Sequence, residues 1–207
     1  MLRDYLGGGR ATPRRDPVVN GEGLAGFLYA RASHVSQTSL YGYIRTRAGS
    51  RYPELFADDA FMVSMNIAKW QIWAACLSDL TLYAGGLILQ RTQAPEKAVR
   101  ALMCDVADAV FAQVGTPDDA GDQFAASLEA ISARIMNMDW RTFEDDETVF
   151  RESPDALVQW APIIDELKEL DSENVRNSVR FRWQEIRRDL RHNLNAGAVM
   201  DALQSGP

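Results

Sequence analysis

The feature that most limits what this chain can fold into is an apolar run from Phe61 to Leu89. Lys69 and Asp79 are its only formal charges, and the acidic pair Asp58-Asp59 precedes it. Acidic side chains stabilise the N-terminal end of a helix, so the sequence predicts a helix that begins at this pair and ends near Leu89. Its apolar residues surround the helix axis on nearly every side, which is typical of a helix buried in a protein core. We therefore expect it to be the central helix of a bundle.

The same run is long enough to raise the question of a membrane span. Lys69 near its centre would cost about 2.5–3.5 kcal/mol in a bilayer, and no second apolar segment of this length occurs in the sequence. The N-terminus also lacks the apolar region of a secretory signal. Cys76 and Cys104 lie in apolar stretches, as buried free thiols of a reducing compartment do. These observations favour a cytoplasmic protein that does not associate with a membrane.

The two sides of the central helix differ in side-chain size. Mostly small residues form one stripe, which consists of Ala60, Ser64, Ile67, Gln71, Ala74, Ala75, Ser78, Leu82 and Gly85. Mostly large residues form the opposite stripe, which consists of Met62, Met65, Lys69, Ile72, Trp73 and Cys76. Small side chains let a neighbouring backbone come close, whereas large ones fill a core. We therefore expect close packing against the small stripe.

Helix start and stop signals divide the rest of the chain. The first helix is expected from about Gly21 to Arg47, although imperfect apolar spacing allows a break near His34–Gln37. A proline at the first helical position, which is favoured there, opens each of the next three helices, at Pro95, Pro117 and Pro154. Ser172 is expected to cap the last long helix. Residues 1–20 are rich in Gly, Pro and Arg and are predicted to form a flexible arm, and residues 21–207 a single all-α bundle of five or six helices.

Charge is distributed unevenly along the chain. The net charge is −7, which argues against nucleic-acid binding over the whole surface. Residues 105–171 contain 17 acidic and four basic side chains, whereas residues 1–51 contain eight arginines and three acids. A local basic surface in the N-terminal quarter is therefore compatible with the composition.

No motif in the sequence indicates a particular chemistry. There is no Gly-x-Ser-x-Gly, no phosphate-binding loop and no Cys-x-x-Cys, and His34 and His192 are the only histidines. We therefore predict no cofactor and no metal site. Lys69 and Asp79 remain as candidate buried charges, because a charge in an apolar helix must reach solvent, find a partner or line a cavity. A buried lysine with a lowered pKa would be a functional group, and a lysine that extends its amine to solvent is the alternative.

One local segment carries a family resemblance. Residues 29–44 read YARASHVSQTSLYGYI, and five of them fall in step with the helix-turn-helix of the TetR family of transcriptional repressors: Val35, Ser36, Leu40, Tyr41 and Tyr43. The chain length and the predicted all-α content also resemble that family. The resemblance implies a DNA-binding regulator, in which bases or phosphates would be approached by Gln37, Thr38 and Tyr41, and the DNA backbone by Arg45 and Arg47.

The sequence as a whole favours a non-catalytic helical binding or assembly protein. The predicted short helices offer one apolar stripe each, which leaves part of the central helix to be covered by a partner. Two-fold pairing is the commonest solution, so we predict a homodimer with Trp70 or Trp73 and the Met62–Met65 region nearest the contact. Another protein is the alternative partner, and nucleic acid is a partner only for a TetR-like regulator. An enzyme that uses Lys69 or a carboxylate in a bundle cavity is the third interpretation.

Overall fold

A computed structural model describes residues 17–204, and in this part of the chain the secondary structure is helical, without a strand. The α-helices are α1 (Gly21–Ala48), α2 (Tyr52–Leu55), α3 (Asp59–Arg91), α4 (Glu96–Val114), α5 (Ser127–Asn137), α6 (Glu152–Trp160), α7 (Asp165–Asn193) and α8 (Ala196–Gln204). Short 3-10 turns cover Gly49–Arg51, Asp122–Ala126 and Trp140–Thr142. The predicted all-α bundle is confirmed.

Helix α3 is the central helix, as the sequence predicts. The Asp58 carboxylate caps it by accepting hydrogen bonds from the backbone N–H groups of Ala60 and Phe61, at 2.9 and 3.0 Å. By length and composition α3 could cross a membrane, but 89% of its most apolar window is buried inside the bundle. Burial by other helices is what an all-round apolar helix requires in a protein core.

The other helices pack around α3, either directly or through a neighbouring helix. Helices α1, α4, α5, α6 and α8 all contact it, and α7 packs across α6 and α1. Helix α1 runs antiparallel to α3 and meets it at Trp73, whose indole N–H donates to the Ser33 hydroxyl at 3.1 Å. The Tyr29 ring contacts the same indole edge-on, with ring centroids 6.3 Å apart. One continuous core joins side chains from α1, α3, α4, α6, α7 and α8.

The described chain begins within the predicted N-terminal arm. Residues 1–16 lie outside the described residues. Val18 is buried, and its backbone is hydrogen-bonded to the connection between α7 and α8. The Val18 N–H donates to the Asn193 carbonyl at 2.9 Å, and the Val18 carbonyl accepts from the Asn195 N–H at 3.0 Å. Residues 17–20 therefore start the packed part of the chain.

One expected helix break and two expected helix starts differ from the structure. Helix α1 is unbroken at His34–Gln37, where the Thr38 hydroxyl donates to the His34 carbonyl at 2.7 Å. Helix α5 begins at Ser127 and not at Pro117, because the residues between form a turn in which Gly121 has a φ of +75°. Helix α7 begins seven residues before Ser172, at Asp165, since the acidic residues that begin there suit a helix start.

Candidate functional site

Asp79 is a buried charge with a complete set of partners. Its side chain is fully buried, and Arg134 donates to one carboxylate oxygen at 2.8 Å. The backbone N–H and hydroxyl of Ser153 donate to the other oxygen at 2.8 and 2.6 Å. Burial raises the pKa of Asp79, and Arg134 and the Ser153 hydrogen bonds oppose that rise.

These contacts give Asp79 a role in holding the fold together. The Ser153 hydroxyl also accepts a hydrogen bond from the Trp183 indole at 2.9 Å, so one side chain of α3 fixes the start of α6 and the middle of α7. The Glu152 N–H donates to Asp79 at 3.2 Å as well, which satisfies the first N–H groups of α6. No part of the carboxylate faces solvent, so Asp79 offers nothing to a ligand.

Lys69 is only partly buried and has an ion-pair partner. Its amine lies 2.9 Å from a carboxylate oxygen of Asp119, in the turn before α5. The other oxygen of Asp119 accepts a hydrogen bond from the Trp70 indole at 2.7 Å, and the lysine amine lies 4.7 Å from the centre of the Trp70 ring. Lys69 and Asp79 are therefore not brought together, and Lys69 holds the turn to the surface of α3.

The residues of the TetR-like segment lie on one uninterrupted helix, so the predicted helix-turn-helix is wrong: there is no turn between two helices in residues 29–44. Thr38 bonds to its own helix, and Arg47 donates to Asp171 of α7 through two guanidinium nitrogens. Gln37 and Arg45 are exposed, whereas Tyr41 is half-buried. A recognition helix supported by a preceding helix is not formed by this segment.

Most of the predicted dimer contact is covered by the chain itself. Trp73 and Met65 are 3% and 1% exposed, and Trp70 is half-buried against Phe124, with ring centroids 5.5 Å apart. The most accessible part of the predicted contact is its N-terminal edge, where Val63 is 61% exposed and Met62, like Trp70, is half-buried. The prediction was wrong for Trp73 and Met65, because α1, α4 and the turn before α5 cover that side of α3.

Exposed and half-buried apolar side chains lie at the end of the bundle where α1 turns into α3. We call this surface the hairpin end and define it by Phe56, Phe61, Met62, Val63, Ile164 and Leu170. Ile164 directly precedes α7 and Leu170 lies in its second turn. The start of α7 lies at the same end because Asp171 bonds to Arg47, one residue before α1 ends. Ile164 and Leu170 are 63% and 74% exposed. The sequence pointed to the Met62–Val63 part of this surface but missed Ile164 and Leu170, since α7 was expected to begin after them.

A second feature is a polar groove between α1 and α7, of about 500 Å³. We call it the α1–α7 groove, and it is lined by Ser39, Gly42, Tyr43, Thr46, Arg47, Asp171, Asn174, Val175, Ser178 and Arg182. The Tyr43 hydroxyl donates to Asp171 at 3.1 Å, and burial together with this bond raises the pKa of Tyr43 to about 12. The groove therefore contains a neutral phenol, one internal ion pair and the additional cation Arg182.

His34 lies at the continuation of this groove along α7, beside Arg182 and Glu185. Burial is the largest cause that lowers the pKa of His34, followed by the charges of Arg31 and Arg182. Arg31 is itself paired with Asp189 of α7. A histidine whose pKa is lowered is neutral at physiological pH, so it adds hydrogen-bonding capacity to this face without charge.

A third cleft lies over the small-residue stripe of α3, between α5 and α6. It encloses about 330 Å³, and Ala74, Ala75 and Ser78 form its floor. Farther along the stripe Trp140 and Met103 pack against Gly85. The small stripe is therefore closely packed at one end only, which corrects the expectation of close packing along its length.

The two cysteines are the other groups that could support chemistry. Cys76 is buried and Cys104 partly buried, and neither forms a disulfide. Burial raises the pKa of both thiols, and nearby aspartates add to this effect. Residues 17–204 contain no group of three His, Cys, Asp or Glu side chains placed to hold a metal ion.

Comparison with known proteins identified no relative. No family model matches the sequence, and neither the curated proteins nor the solved structures contain a significant match.

Proposed function

We propose that this chain is a non-catalytic helical assembly protein that pairs with a second copy through the hairpin end. The observation that carries the proposal is that four exposed apolar side chains, Phe56, Val63, Ile164 and Leu170, belong to the chain segments at this end of the bundle. Large apolar patches are rare on the surface of monomers and mark sites of association. Most of α3 is covered by its own chain. Phe181 and Met136 are also exposed, at 71% and 58%, but they lie on α7 and α5, whereas the hairpin end combines exposed apolar side chains from several neighbouring segments.

The charges around the hairpin end favour a second copy as the partner. Arg45 and Asp59 are both exposed there, and Arg51 and Glu54 form a loose, solvent-exposed pair at 3.7 Å. When a surface carries both positive and negative charges, two copies of it can meet across a two-fold axis so that opposite charges lie next to each other. The aromatic cluster of Tyr52, Phe56 and Phe61, with successive centroids 5.1 and 6.1 Å apart, supplies the rigid rings that interface cores contain.

Sedimentation equilibrium on the parent and two matched variants tests the proposal. Val63→Glu places a charge at the hairpin end, and Phe181→Glu places the same charge on a side chain that is 71% exposed. Phe181 lies beside His34, about 20 Å along α1 from its end. We expect the parent and Phe181→Glu to approach twice the monomer mass of 23.1 kDa, and Val63→Glu to remain monomeric.

Two results would contradict this function. One is a monomer mass for the parent up to several hundred micromolar protein. The other is equal weakening by both variants, which would show that charge anywhere on the surface disperses the assembly. The DNA-binding alternative has no comparable observation in its favour, because residues 29–44 form part of a single helix.

A further inference from the structure

We propose that the α1–α7 groove is a binding site for a small oxyanion ligand, a carboxylate or a phosphate, with Arg182 as the group that recognises its charge. This site adjoins the hairpin end at Arg47 and Asp171 but shares none of the residues that define it.

Arg182 differs from the other partly buried arginines of α7 in having no acidic partner. The others bind carboxylates: Arg176 pairs with Asp155, Arg180 with Glu173, and both Arg187 and Arg191 with Asp145. The Nε atom of Arg182 is buried and has no hydrogen-bond partner, and among residues 17–204 no ion pair involves this side chain. Buried charges are normally paired or neutralised, so an unpaired guanidinium in a groove is a site prepared for an anion.

Ser39 supplies a second, independent observation. It lines the groove and is only 3% exposed, yet its hydroxyl has no hydrogen-bond partner. Thr38 and Thr46 of the same helix, by contrast, both donate to backbone carbonyls. A buried polar group without a partner costs stability, and a ligand oxygen in the groove would satisfy it.

The guanidinium of Arg182 lies against α1 at Gly42. A Cβ atom at this position would be 3.7 Å from a terminal nitrogen of Arg182, so even the smallest side chain would be in contact with the guanidinium. The guanidinium of Arg182 therefore lies on the glycine surface of α1, one helical turn from Ser39.

The charge balance of the groove selects the ligand class. Asp171 is neutralised by Arg47 and accepts the Tyr43 hydrogen bond. Glu185 lies beside Arg182 next to His34, but in the described residues it forms no ion pair with it, so the Arg182 guanidinium has no bound counter-charge. A guanidinium matches the geometry of carboxylate and phosphate oxygens through two parallel hydrogen bonds. The volume of about 500 Å³ is in the range of small-molecule sites.

Arginine Nε NMR spectra of the full chain test the site directly. The probes are inorganic phosphate and succinate, each added at constant ionic strength set with sodium chloride. We expect the Arg182 Nε–H signal to shift and saturate with at least one probe, and the probe that binds more tightly distinguishes a phosphate from a carboxylate ligand. Absence of a saturable Arg182 shift with both probes would overturn the proposal without any variant.

Calorimetric titration of variants then assigns the binding to the groove. Arg182→Gln should weaken binding at least tenfold, Arg182→Lys should recover only part of it because a lysine cannot form the two-pronged contact, and Ser39→Ala should weaken it severalfold. Arg188→Gln is the matched control, since Arg188 is an exposed arginine of the same helix. Equal weakening in Arg188→Gln and Arg182→Gln would show general ionic attraction and would refute the site.

Discussion

The hydroxyl of Ser153 donates a 2.6 Å hydrogen bond to the fully buried carboxylate of Asp79, across 74 residues of sequence. This contact joins the middle of the central helix to the first turn of α6. Arg134 from α5 completes the arrangement at 2.8 Å. Three helices thus meet at one charged group that solvent does not reach, which explains why an aspartate can occupy the centre of an apolar helix.

Replacement of Asp79 should be among the most destabilising single changes in the chain. Asp79→Ala leaves Arg134 and the Ser153 hydroxyl without their acceptor, and breaking a buried pair in this way costs about 3–5 kcal/mol. The matched control is Asp155→Ala. Asp155 forms an ion pair with Arg176 near the surface, and its loss should lower the free energy of unfolding by about 0–1 kcal/mol. Urea denaturation measures both. Similar values for the two variants would mean that the Asp79 cluster adds no more than a surface pair.

Two glycines should respond in opposite directions to the same added methyl group. A Cβ at Gly85 would come within 2.5 Å of the Trp140 ring, so Gly85→Ala should overpack the core and destabilise by about 1–3 kcal/mol. Gly26 lies on the exposed side of α1, where an added Cβ would have no neighbouring atom within 4 Å. Gly26→Ala should stabilise by about 0.4–1 kcal/mol. Thermal melts of both variants decide this, and a neutral Gly85→Ala would show that Trp140 can move away.

The central helix could be predicted because its signals are local. An acidic pair at the start and apolar side chains on all sides indicate a buried helix whatever packs around it. The start of α5 could not be predicted in this way, since Thr116-Pro117-Asp118-Asp119 suits a helix cap and a turn equally well. The choice depends on Lys69 and Trp70, which lie about 50 residues away and hold Asp119 in the turn.

The candidate sites depend even more on tertiary contacts. Arg182 is one of several arginines in α7, and nothing in the sequence distinguishes it from those that find carboxylates. Lys69 looked unusual in sequence because it interrupts an apolar run, yet it has a partner on the surface. The break expected at His34–Gln37 likewise rested on the imperfect helical spacing of apolar residues. Helix α1 packs against both α3 and α7, so its apolar residues need not form a single stripe and no break is required.

Tyr83 should make stability depend on pH in the alkaline range. Burial, and then its 2.5 Å hydrogen bond to Asp145, raise the pKa of Tyr83 to about 12 from the ordinary tyrosine value of 10.0. Between these values the unfolded chain releases the phenol proton while the folded chain keeps it, so the unfolded state binds fewer protons and stability falls as pH rises. Tyr83→Phe should flatten this fall, which denaturant titrations between about pH 9 and 11.5 would measure. An unchanged slope in the variant would assign the pH dependence to other groups.

The proposed assembly predicts a melting temperature that depends on protein concentration. If folded copies pair at the hairpin end, mass action stabilises the folded state as concentration rises. The parent and Phe181→Glu should therefore melt at higher temperature when concentration is raised a hundredfold. Val63→Glu should melt at one temperature throughout, because Val63 is exposed in the single chain and a surface substitution there changes monomer stability by no more than about 0.5 kcal/mol. A parent melt that is independent of concentration, or a Val63→Glu melt that rises as the parent does, would place any association elsewhere than the hairpin end.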